Sequence, residues 1–175
     1  MLELRFDPSL CTRCETVDCL MKCQYLGFDL SRSLSERDVL VQGGNSQVLE
    51  DCVTCYACEE YCPYGGHPFY RIVELQERHG IHPVPSQIEE HQIASLAPRE
   101  KIQYREMHAP LIDLCTFPML KESIRGPLFE DASLFWGTDG FCNLIYLHFG
   151  KISITKQRLP LVIDNIRKFC LEPNH

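Results

Sequence analysis

Apolar and polar positions follow no single period along this chain. Leu2, Leu4 and Phe6 alternate with polar neighbours and predict a short opening strand. Between Asp38 and Glu50, Val39 and Val41 face Val48 across Gly43, Gly44 and Asn45, which predicts a β-hairpin. Helical spacing takes over from His67 to His79: Phe69, Ile72, Val73 and Gln76 fall on one face, Pro68 suits the first turn and Gly80 ends it. Short helical turns are expected after Cys19 and Cys58.

Farther along, His82 to Pro98 is rich in proline and polar residues and reads as a linker carrying one short helix, with Ser86 and Glu89 at capping-box spacing. Leu111 to Phe117 and Ala132 to Trp136 are apolar runs of strand length. Leu159, Val162, Ile163, Ile166 and Phe169 make a helical stripe around Pro160. The expected fold class is therefore α+β: a mainly helical first domain over residues 1–80, a linker over 81–98, and a partial α/β unit over 99–175. A strand–helix–strand unit needs a further strand to bury that stripe, and only five residues follow Cys170. The second unit is thus expected to be incomplete and to bind a partner.

Composition narrows the class. The formal net charge is −7, which disfavours nucleic acid as a partner. No stretch without Asp, Glu, Lys or Arg is longer than that from Gly140 to Gly150, well short of the roughly 18 residues a membrane-spanning helix needs, so no direct membrane insertion is expected. Residues 1–10 carry Glu3, Arg5 and Asp7 with no apolar core, unlike a signal peptide. An odd count of eleven cysteines argues against a disulfide scaffold. The expected location is cytoplasmic, in a reducing compartment.

Eight of those cysteines form two quartets: Cys11, Cys14, Cys19 and Cys23, then Cys52, Cys55, Cys58 and Cys62 followed by Pro63. Two residues between cysteines let one tight turn carry neighbouring thiolates to neighbouring irons, with backbone N–H groups pointing at sulfur. Zinc ribbons also pair CxxC units, but they need four ligands and rarely use so close a run. The first quartet has a longer second step, Glu15 to Asp18, and Gln24 where the second has Pro63. The two sites should therefore not be equivalent. Arg13 and Lys22 are candidate potential-setting charges, and Tyr25, Tyr56, Tyr61 and Tyr64 are expected to exclude water. His79, His82 and His91 read as solvated linker residues, while Cys115, Cys142 and Cys170 read as apolar packing.

The second quartet resembles the CxxCxxCxxxCP run by which bacterial-type ferredoxins hold a 4Fe-4S cube in four thiolates. The three-residue step before the last cysteine leads into a helix that points away from its own cube, and in two-cluster ferredoxins that cysteine ligates the other cube. The resemblance thus implies two 4Fe-4S clusters, one on Cys11, Cys14, Cys19 and Cys62 and the other on Cys52, Cys55, Cys58 and Cys23. With each oxidised cube and its thiolates adding about −2, the loaded protein would carry about −11, suiting a partner with a basic docking patch.

More broadly, the VLEDCVTCYACEEYCPYG run, its following helix and a downstream α/β unit resemble the iron–sulfur subunits of heterodisulfide-reductase-like oxidoreductases. That resemblance implies an electron-transfer subunit of a multi-subunit anaerobic oxidoreductase, taking electrons from a flavin or iron–sulfur donor and passing them to a catalytic acceptor. The alternative is the N-terminal part of an enzyme that itself reduces a disulfide. The family's catalytic CCG segment does not occur in this chain, although Cys142 stands where such a segment would open. The resemblance therefore assigns no catalytic residue, and no Gly-rich loop marks a nucleotide site.

Overall fold

The computed structural model describes residues 4–96, 111–113, 123, 127, 133–135 and 143–170. Helix dominates among them, and strand is confined to two three-residue segments. The α+β class expected from the sequence is therefore corrected: the described residues are mostly helical and show no α/β unit. The expected strand positions are only partly right. Leu111–Asp113 (β1) and Ser133–Phe135 (β2) pair in parallel, with Leu111 opposite Ser133 and Asp113 opposite Phe135. Of the expected second unit, residues 99–110, most of 114–142 and 171–175 lie outside the described residues.

The chain divides into two compact units, Met1–Ser86 with Leu144–Lys156, and Gln87–Asn143 with Gln157–His175. In the first unit the helices are α1 (Pro8–Thr12), α2 (Asp18–Met21), α3 (Leu30–Gln42), α4 (Gln47–Asp51), α5 (Ala57–Tyr61) and α6 (Pro68–His79). Helix α7 (Ser86–Leu96), the helix expected in the linker, falls in the second unit from Gln87 onward. Beyond the strands come α8 (Ile145–His148) and α9 (Ile152–Cys170). The last of these starts seven residues before the expected stripe and runs through Pro160, which has no N–H to continue the ladder.

The predicted hairpin is instead two helices. Asp29 Oδ1 accepts a hydrogen bond from Arg32 N at 2.8 Å and opens α3, and Ser46 Oγ does the same for Val48 N at 3.1 Å at the start of α4. The glycine pair that suggested a hairpin turn serves as a helix stop: Gly43 adopts φ 82°, and its N–H returns to the carbonyls of Val39 and Leu40. Arg71 of α6 then satisfies the last carbonyls, with Nε donating to Leu40 O at 2.8 Å and an Nη donating to Val41 O at 3.1 Å. A tertiary cation thus settles a segment whose local pattern reads either way. The opening strand is also corrected. Leu4 to Asp7 is irregular and Asp7 N donates to Gly66 O at 3.0 Å, while Leu2 lies outside the described residues.

Helix α6 matches its expectation. Phe69, Ile72, Val73, Leu75 and Gln76 are buried, and Gly80 closes it at φ 67°. Together with Leu20, Phe28, Leu40, Val48 and Leu49, two of these residues, Ile72 and Leu75, make a core against which Cys19, Cys52 and Cys58 are packed. At about 1.5–3 kcal/mol for each fully buried large apolar side chain, this core is the main support of the cysteine loops. Buried Gln76 adds a polar tie, its Nε2 donating to Leu49 O at 2.9 Å, three residues before Cys52.

Candidate functional site

Each quartet is carried by two short helices and the turns between them. Asp7 caps α1 by accepting hydrogen bonds from Ser9 N at 2.9 Å and Leu10 N at 3.3 Å, and α1 holds Cys11. The Ser9 hydroxyl and these amides hold the Asp7 carboxyl below its ordinary range. Cys14 follows in a turn, Cys19 sits in α2, and Cys23 comes just after it. In the second quartet Cys52 ends α4, Cys58 sits in α5 and Cys62 ends α5. Because α2 packs on α5, each helix delivers its trailing cysteine toward the other quartet.

The eight thiols gather around two cavities. The smaller, about 20 Å³, is lined by Cys11, Cys14, Cys19 and Cys62. The larger, about 90 Å³, is lined by Cys23, Cys52, Cys55 and Cys58, with Cys19 forming part of its wall as well. Each cavity therefore meets three cysteines of one quartet and the last cysteine of the other. Among the described residues no three His, Cys, Asp or Glu side chains are arranged to hold a single metal ion.

Backbone strain marks the same turns. Val17, Thr54, Tyr56 and His67 have φ of 44°, 55°, 70° and 58°, in the left-handed region that costs most for β-branched residues such as Val17 and Thr54. The reversals aim amides at sulfur. Thr54 N donates to Cys52 Sγ at 3.4 Å and Gly66 N donates to Cys62 Sγ at 3.3 Å.

Burial pushes the Cys11 thiol up to about 11, with Arg37 opposing that push. It pushes Cys19 up to about 12, reinforced by Cys11, Cys62 and Cys14. Cys52 rises to about 11, again through burial, with the Thr54 amide opposing. Cys58 rises further, from burial and then from Cys52 and Glu59. Such thiols stay protonated near neutrality unless a bound cation takes the proton's place.

The surroundings of the cavities differ. Tyr56 packs edge-on to Phe69 at 4.7 Å between ring centres, and its hydroxyl lies 2.8 Å from that of Tyr70. Burial and that hydrogen bond raise the Tyr56 phenol well above its usual value. Glu59 ties α5 to α6, accepting from Phe69 N at 2.7 Å and from His67 Nδ1 at 2.8 Å. Tyr25, Tyr61 and Lys22 also line the larger cavity, and Tyr64 lines the smaller. Arg13 lines neither and donates to Ser9 O at 3.1 Å. His79 Nε2 donates to Gly43 O at 3.2 Å, a structural contact. Cys115 and Cys142 lie outside the described residues, as does the side chain of Cys170.

Two features were not anticipated from the sequence. Arg37 of α3 lines the smaller cavity and donates to the Cys14 carbonyl. His148 of α8 clasps the Cys52–Cys55 turn: its Nδ1 donates to Thr54 O at 2.7 Å, and Thr54 Oγ1 donates to His148 O at 3.3 Å. Residues 144–156 thus belong with the first unit, whereas the sequence reading has them in the second. Tyr146, Leu147, Phe149 and Ile152 are buried there, and the uncharged LIYLHFG run was the available signal.

Comparisons with known protein families, with curated proteins and with solved structures find no match to this chain. No helix among the described residues is long and apolar enough to cross a membrane.

Proposed function

We propose that this protein carries single electrons through two 4Fe-4S clusters, one on Cys11, Cys14, Cys19 and Cys62 and the other on Cys52, Cys55, Cys58 and Cys23. The observation that carries the reading is the gathering of eight thiols around two cavities, each closed by the last cysteine of the opposite quartet. The donor set fits the group: four sulfurs at the smaller cavity, four at the larger besides the shared Cys19, amides aimed at sulfur, and thiols too buried to ionise without a cation. A single zinc would draw its thiolates to about 2.3 Å from one point, whereas a cube spreads them around itself.

A bound cube supplies reversible one-electron chemistry. The chain's own part is to hold and tune it. Val48, Phe69 and Ile72 keep water from the inner wall of the larger cavity, and Tyr56 closes its side. Amides of Thr54 and Gly66 place partial positive charge on Cys52 and Cys62 and favour the reduced state. The larger cavity ends at Cys55, which is exposed and is the natural place for exchange with a partner. That partner would be a flavin or iron–sulfur donor or a catalytic acceptor in a cytoplasmic oxidoreductase complex.

Anaerobically prepared protein should contain about eight iron and eight acid-labile sulfide per chain, and its brown colour should bleach on reduction. Stoichiometric zinc without sulfide would end this reading.

A further inference from the structure

We propose that Arg37 makes the smaller cavity the higher-potential of the two sites, so that an electron entering near Cys55 comes to rest on the Cys11, Cys14, Cys19 and Cys62 side. The inference rests on the electron-transfer reading above and adds to it the direction of flow within the chain.

The argument is one of charge and solvation. Arg37 is the only cation among the described residues that line the smaller cavity. Its side chain is only 13% exposed, and it is fixed from both ends: one Nη donates to Cys14 O, while the other Nη pairs with Asp38 Oδ1 at 2.7 Å and Nε donates to the same oxygen at 2.9 Å. Asp38 is 53% exposed, so water dissipates much of its charge while the guanidinium keeps its own. The acid that also lines this cavity, Asp18, is held at 2.8 Å by Lys22.

Lys22 is the cation of the larger cavity, and the contrast lies in its solvation. Its side chain is 57% exposed and already paired with Asp18, so solvent and counter-charge screen it. A poorly hydrated positive charge beside one cluster favours the more negative, reduced state there. The cavity beside exposed Cys55 has no such charge.

The test is an anaerobic redox titration of the full, cluster-loaded chain, followed by electron paramagnetic resonance so that two potentials are resolved. Arg37→Gln should shift the reduction equilibrium of one site by about tenfold toward oxidised, ~59 mV for a one-electron step. Arg37→Lys should recover most of that shift because the charge remains. Asp38→Asn, at an exposed position, should move the same potential upward, and Lys22→Gln should leave it in place.

Equal shifts in Arg37→Gln and Arg37→Lys would show that Arg37 acts by position and not by charge, and would overturn the proposal. So would potentials that ignore both Arg37→Gln and Asp38→Asn. If Arg37→Gln fails to take up iron, the wild-type potentials decide: the proposal holds if Cys11→Ser removes the higher-potential signal and falls if it removes the lower. Wild-type protein that holds no iron and sulfide would instead remove the reading on which the inference rests, an outcome distinct from loaded protein with unmoved potentials.

Discussion

The two cysteine cavities are built from nearly the same parts, yet one is smaller and walled by a guanidinium while the other is larger and has an exposed cysteine in its wall. In each quartet a helix carries the third cysteine and the fourth lies just beyond it. The smaller is lined by Phe6, Pro63 and Arg37, with buried Cys14 at 7% exposure. At the larger, Cys55 is exposed and Tyr25 is half out in solvent. The difference teaches that the crossing of the last cysteines fixes the thiol sets, whereas neighbours outside the quartets set their character. Neither inequality visible between the quartets, the longer loop or Gln24 in place of a proline, places Arg37 or His148.

The largest test of that comparison is a pair of ligand substitutions. Cys23→Ser should cut iron from about eight to about four per chain, and the surviving signal should be the one that Cys11→Ser removes. Cys62→Ser should give the mirror result, keeping the signal that Cys52→Ser removes. If Cys23→Ser and Cys11→Ser instead abolish the same signal, the crossing is wrong and each quartet serves its own cavity.

A smaller effect is expected from the aromatic walls. Phe69 is 1% exposed and packs on Tyr56 at the larger cavity, so Phe69→Ala should destabilise the protein by about 3–5 kcal/mol and release iron from that site first. Phe6, at the smaller cavity, is only partly buried, and Phe6→Ala should cost less. Chemical denaturation of the loaded variants, followed alongside chelator uptake of iron, would measure both. Equal losses would mean that the two walls are equivalent.

The smallest effect is in thiol reactivity without metal. At about pH 8, alkylation followed by mass spectrometry should label exposed Cys55 first and Cys19 and Cys58 last. The fold favours the protonated form of Cys11, Cys19 and Cys52, raised from 9.0 to about 11, 12 and 11. Their contribution to stability is therefore constant below about pH 9 and is lost as pH climbs from there to about 12. Alkaline stability of the metal-free chain that stays flat over this window would show those thiols to be solvated.

The gathering of the cysteines was legible because the spacing between them is a local property. The steps of two and three residues between cysteines place thiols within a turn or two of one another, and α6 could be read from Phe69, Ile72 and Val73 with Gly80 behind them. The Asp38–Glu50 segment failed for a long-range reason. Its Val residues and glycine pair fit a hairpin, but Arg71, about thirty residues on, holds the carbonyls of Leu40 and Val41 and so stabilises a helix end. The partners of Arg37 and His148 are likewise set by packing, since Arg37 meets Cys14 across 23 positions and His148 meets Thr54 across 94. No periodicity carries such information. The predicted α/β unit overreached from two apolar runs: β1 and β2 do pair, but over three residues each, within a chain whose described part is otherwise helical.

Cys19 belongs to the walls of both cavities. Under the proposed electron-transfer function this side chain would be a wall common to both chambers. The same economy makes it a shared point of failure. An oxidant that converts its sulfur to a sulfinic acid would open both chambers at once, whereas the same lesion at Cys55 would spoil only the outer one.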